Sequence, residues 1–179
     1  MSNNFSDFLA LIPQFQQNCN HGNTLQEVVA AIREQPYEVA ALFDKTGVKV
    51  FERTDYDAGN VVIGIPPALQ KEVAISLHNH VDDATFSMLD LALGPDLELT
   101  MNILVTPSYS YYLCRPDSGW PEKTDWLDEF MTLEDNIFIA SRRNPSRYEA
   151  RHEALMKVAS HYGIHYYVTN LHGDIVASN

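Results

Sequence analysis

The sequence predicts an α/β fold: a single domain with a central mixed β-sheet and flanking helices. Two observations carry this. The apolar period switches along the chain between helical spacing and short alternating runs. Gly-containing turns, Asp44-Lys45-Thr46-Gly47 and His172-Gly173-Asp174, stand between paired runs of the second kind. With 179 residues, 45% hydrophobic and 20% charged, the chain has the length and apolar content for one core. No domain boundary is evident, so residues 1–179 read as one unit. Residues 36–115 form its motif-bearing core and 116–179 a C-terminal extension of the same domain.

The elements follow in order. Residues 5–17 read as a short amphipathic helix kinked at Pro13. Thr24 with Glu27 makes a capping box for a helix running to about Gln35, with Leu25, Val28, Val29 and Ile32 at helical spacing. Glu38 to Phe43 and Val48 to Glu52 flank Asp44-Lys45-Thr46-Gly47 as a hairpin. Val61 to Ile65 is a further strand candidate, and Pro66-Pro67 opens a helical turn. Val73 to His80 reads as a buried strand. Thr85 to Leu93 reads as a helix ended by Gly94-Pro95, with Phe86, Leu89 and Leu93 facing inward. Leu99 to Thr106 and Tyr109 to Cys114 form a second strand pair. Arg115 to Lys123 is a loop and residues 125–135 are acidic and partly amphipathic. A long helix from Pro145 to Tyr162 is closed by Gly163. A last hairpin joins Ile164–Val168 to Ile175–Ala177 around His172-Gly173-Asp174.

Twelve basic residues against 24 acidic ones give a formal net charge of −12. That field repels nucleic-acid backbones and anionic membranes, so neither is expected as the main partner. Arg142, Arg143, Arg147 and Arg151 form the one candidate basic cluster. Two cysteines, Cys19 and Cys114, make neither a disulfide framework nor a Cys-rich metal site. No run approaches ~18 consecutive apolar residues, and Met1–Asp7 is polar, with an acid where a signal peptide carries basic residues. The expectation is a cytoplasmic protein.

The stretch with the most chemistry runs from Leu77 to Asp90. His78 and His80, two apart on a strand, share a face. Ser87 and Asp90, three apart on the predicted helix, share a face. Two imidazoles and a carboxylate make a three-ligand Zn²⁺ site with a position left open for water. Each residue also has a plainer reading: Ser87 as an N-cap, Asp90 as an acid favoured by the helix dipole, and His-x-His as two ordinary polar residues.

This pattern resembles the JAMM motif of the JAB/MPN metalloprotease superfamily, and most closely its RadC-type bacterial and phage branch, where His-Asn-His is common. The resemblance implies a fold related to cytidine deaminases. It implies zinc bound by His78, His80 and Asp90, Ser87 as an assisting hydroxyl, and an upstream Glu as general acid/base. Glu38, before a strand and an Asp-turn, is the first choice for that Glu, and Glu52 on the next strand is the second. The chain departs from the family in carrying Val81 where Pro usually follows the second His, and in a His80–Ser87 gap one residue shorter. The implied activity is zinc-dependent hydrolysis of a peptide or isopeptide bond, with a protein or peptide conjugate as substrate, in a bacterial or phage-infected cell.

The rivals are a non-catalytic interaction module of the same fold and a RadC-like DNA-processing protein; the charge disfavours the latter. Weaker candidates are His161 with His165, His152-Glu153, and the tyrosine-rich strand from Tyr109. Neither cysteine has a nucleophile context.

Overall fold

Thr24 starts the first described helix, α1 (Leu25–Ile32), through a complete capping box with Glu27. Val28 and Ile32 are its buried stripe. The computed structural model describes residues 20–55, 57, 61, 65, 67–140 and 146–179. The expected helix at 5–17 lies outside the described residues, as does most of the Val61–Ile65 strand.

The hairpin β1 (Val39–Phe43) and β2 (Lys49–Thr54) forms as the turn signal predicts. Asp44 Oδ1 accepts from the Thr46 amide at 2.8 Å and the Val48 amide at 3.1 Å, and Gly47 supplies a φ of 80°. β3 (Ile75–Asn79) pairs antiparallel with β1 and parallel with β4 (Met101–Val105). The crossover between β3 and β4 carries α2 (Met88–Asp96). β5 (Tyr109–Cys114), β6 (His165–Asn170) and β7 (Ile175–Ser178) add on antiparallel. The result is a seven-stranded mixed sheet in the order β2-β1-β3-β4-β5-β6-β7. It takes strands from both sides of residue 115.

The two faces of the sheet are covered differently. α1 packs against Val39, Ala41, Phe43, Leu77 and Ile103. On the opposite face, α2, α3 (Lys123–Ala140) and α4 (Arg147–Tyr162) enclose a larger core with Phe86, Leu104, Trp126, Phe130 and Leu155. The acidic stretch at 125–135 is therefore the middle of an 18-residue helix that buries Trp126, Leu127 and Phe130. Pro145 lies outside the described residues; α4 is capped by Ser146 with Glu149 and closed by Gly163.

α2 differs from its sequence reading. Thr85 and Phe86 remain outside the helix, Ser87 is the N-cap, and the helix runs through Gly94 and Pro95 to Asp96. Phe86 is held in the core as part of the approach to the helix, and Pro95 falls in the last turn, where it removes one i→i−4 amide bond. The later start turns Leu91 inward and leaves Leu89 79% exposed, correcting its expected inward position. The arginine cluster is not a free patch where it is described: Arg147 and Arg151 both pair with the buried Glu134 carboxylate, and Arg147 also with Asp135. Among the described residues no helix is long and apolar enough to cross a membrane.

Candidate metal centre

His78 lies on β3, on the face that carries α2. Period-2 alternation puts His80, one residue past the strand, on the same face. The His80 amide still bonds the Val105 carbonyl at 3.0 Å, which keeps this residue in line with the strand. The chain then turns through residues 81–86 into the Ser87 cap. That turn is braced by Asp83, whose carboxylate takes the Ser108 amide and the Thr106 and Ser108 hydroxyls, and by Tyr111, whose hydroxyl bonds the Asp83 carbonyl.

At the helix start, Ser87 and Asp90 cap the helix. Ser87 Oγ accepts from the Asp90 amide at 3.4 Å, and Asp90 Oδ2 accepts from the Ser87 amide at 2.6 Å, a reciprocal capping box. The same Asp90 carboxylate faces both imidazoles. His78 Nε2 lies 3.2 Å from Asp90 Oδ1, His80 Nε2 lies 3.5 Å from Oδ2, and the two Nε2 atoms are 3.3 Å apart. Capping fixes the rotamer of the carboxylate, so the helix start itself aims it at the histidines.

These distances fit an ion. Two ligand atoms each ~2.0–2.1 Å from a tetrahedral zinc stand about 3.3 Å apart. Two imidazole Nε2 atoms facing each other at that distance also need a proton or a cation between them. His80 Nδ1 donates to the Ala84 carbonyl at 3.1 Å, which leaves the Nε2 lone pair pointing at the site, the second-layer bond that ligating histidines use. His78 Nδ1 is buried without a partner, so this ring is held through its Nε2 side. Among the described residues, His78, His80 and Asp90 are the one trio of such side chains close enough to hold a metal ion.

Electrostatics tie the group together. Burial pushes the Asp90 carboxyl up, but His78 and His80 outweigh it and hold it well below the usual carboxylate range. Burial pushes the His80 imidazole down, but Asp90 and Glu38 outweigh it and raise it above its ordinary value. Each charge is thus favoured by its neighbours.

Glu38 belongs to this group by register. Ala40 stands opposite His78 across the β1–β3 pair, and two further residues along each strand bring Glu38 opposite His80. Glu38 is 9% exposed, and burial pushes its carboxyl up against the opposing pull of His80 and His78. Glu52, the second choice, is on the other face. It pairs with Ala41, and its carboxylate bonds His21 Nδ1 at 2.7 Å and Lys49.

Sequence reasoning missed Asn79. Read only as the spacer of His-x-His, it is fully buried, with Oδ1 accepting from the Val39 amide and Nδ2 donating to the Tyr37 carbonyl. Its partners lie 40 and 42 residues away, so no local signal announces it. The weaker histidine candidates are elsewhere: His161 pairs with Glu129, and His152 bonds the Tyr166 hydroxyl.

A scan against protein-family models and a search of the curated proteins found no match for this chain.

Proposed function

We propose that this protein is a zinc-dependent metallohydrolase that cleaves a peptide or isopeptide bond, as its resemblance to the JAMM metalloproteases implies. The observation that carries the reading is the meeting of two imidazoles, a carboxylate and a second, separately supported carboxylate at one end of β3.

His78, His80 and Asp90 would hold the ion, and their mixed nitrogen and oxygen donor set suits zinc. When bound, zinc supplies Lewis acidity, which polarises a scissile carbonyl and acidifies water. The chain's own groups account for the proton traffic. Glu38, raised by burial, is a stronger base than an exposed carboxylate; it takes the proton of the attacking water and returns it to the leaving amine. Ser87 spends its oxygen on the Asp90 amide and keeps its hydroxyl proton, which is available to donate to a developing oxyanion. The Ala84 carbonyl orients His80, and the Asn79 side chain orients the Glu38 segment.

The experiment is hydrolysis of an internally quenched peptide library by purified protein, stripped with chelator and then reloaded with zinc. Cleavage that appears only on reloading and disappears in His80→Ala supports the proposal. A zinc-loaded protein that cleaves neither the library nor ubiquitin-like isopeptide conjugates contradicts it and favours an interaction module.

A further inference from the structure

On the same sheet face as the metal centre, β5, β6, β7 and α4 line an open cavity of about 640 Å³. The pairing register sets His78, Leu104, Tyr111, Val168 and Ala177 in one row across the sheet, and the last three line this cavity. Tyr111 is two strands from His78, about 10 Å at the usual ~4.8 Å strand spacing. Phe86 stands between, with its ring centroid 6.3 Å from that of His78 and 6.4 Å from that of Tyr111. Residues 81–86 are thus a shared wall between centre and cavity.

The lining is aromatic and acidic over an aliphatic floor, with His152 tied by its Nδ1 to the Tyr166 hydroxyl. Tyr109, Tyr111 and Tyr148 supply aromatic surface, and Asp83, Glu149 and Glu153 supply carboxylates. Among the described residues, no lysine or arginine lines the cavity. Asp83 and Glu149 are oriented by hydrogen bonds from amides and hydroxyls, and among the described residues neither pairs with a cation. Glu153 pairs with Lys157 at a half-exposed position, where the pairing is weak. The Tyr148 hydroxyl bonds a further acid, Asp82, and so leans over the shared wall. Aromatic faces ringed by oriented carboxylates attract a cation with an apolar stem.

We propose that this cavity receives a lysine or arginine side chain of the polypeptide substrate; only the word substrate rests on the hydrolase reading above. An extended chain advances ~3.3 Å per residue. The cationic residue would therefore lie about three residues from the bond at the metal centre.

The test is an NMR titration of the full chain with N-acetyl-arginine amide and with N-acetyl-citrulline amide, which has nearly the same shape and no charge. Both are run with zinc and again after chelation. The expected result is shifts of the Tyr109, Tyr111 and Tyr148 signals by the arginine compound, with citrulline at least fivefold weaker. Tyr148→Ala, at a 47% exposed position, should weaken arginine binding about threefold to tenfold with an unchanged melting temperature. Equal binding of the two compounds, or shifts that spare these tyrosines, overturns the proposal. Arginine docking that persists in chelated protein supports the pocket independently of the metal reading. Absence of docking while zinc remains bound overturns the pocket alone.

Discussion

Asn79 holds the main chain on both sides of Glu38. Its Oδ1 accepts from the Val39 amide at 2.8 Å, and its Nδ2 donates to the Tyr37 carbonyl at 3.0 Å. The residue between the two histidines thus faces away from them and fixes the opposing acid. Asn79→Leu should remove both bonds and lower stability by about 1–3 kcal/mol for each buried group left unsatisfied. Zinc content should remain near the wild-type level, because neither ligand strand residue is altered. Urea unfolding together with metal analysis checks this. A variant as stable as wild type would show that the clamp is unimportant.

Glu38→Gln keeps the shape of the side chain and removes its ability to take a proton. Zinc should stay bound, and turnover of any cleaved peptide should fall by a factor on the order of 10²–10⁴. Glu52→Gln should leave turnover intact, because Glu52 lies on the α1 face of the sheet with His21 and Lys49. The reverse pattern would reassign the base.

Those two carboxylates illustrate what the sequence discloses. The shared face of His78 and His80 follows from strand period alone, and the nearness of Ser87 to Asp90 from their spacing at a helix start. Glu38 ranks ahead of Glu52 in the sequence only through the family resemblance, because each borders the same hairpin; the strand registers put the two on opposite faces of the sheet. Asn79 was illegible because its partners come from a strand that is distant in sequence. The start of α2 was misread because Thr85 and Phe86 suit a helix locally, whereas burial of Phe86 and capping by Ser87 decide the outcome. Gly94-Pro95 looked like a stop, yet Gly94 sits inside the helix for a packing reason.

That reason makes a prediction. A Cβ on Gly94 would come within 2.7 Å of the Trp120 ring, which is itself held by its Nε1 bond to the Leu99 carbonyl and stacked on Trp126. Helix propensity favours Ala over Gly, but the overlap with a fixed ring outweighs it. Gly94→Ala should therefore destabilise by about 1–3 kcal/mol, read as a lower melting temperature. A rise in melting temperature would mean that Trp120 moves freely.

His152 makes stability depend on pH. Burial pushes its imidazole below the ordinary value, and its Nδ1 bonds the Tyr166 hydroxyl at 2.8 Å. With the folded pKa depressed, the unfolded chain binds the extra proton first. The stabilising contribution is complete above the unfolded pKa of about 6.5 and is lost as pH falls through the folded value. Between pH 7.5 and 5 the wild type should lose more stability with acidity than His152→Gln does, read from unfolding midpoints. An unchanged slope in the variant would place the titration elsewhere.

The most direct measurement is the zinc stoichiometry of purified wild-type protein beside His78→Ala and Asp90→Ala, with folding verified by circular dichroism. One zinc per wild-type chain is expected after reloading and dialysis, with most of it lost in each variant. A folded wild type that retains no zinc, or folded variants that retain one equivalent, would contradict that expectation.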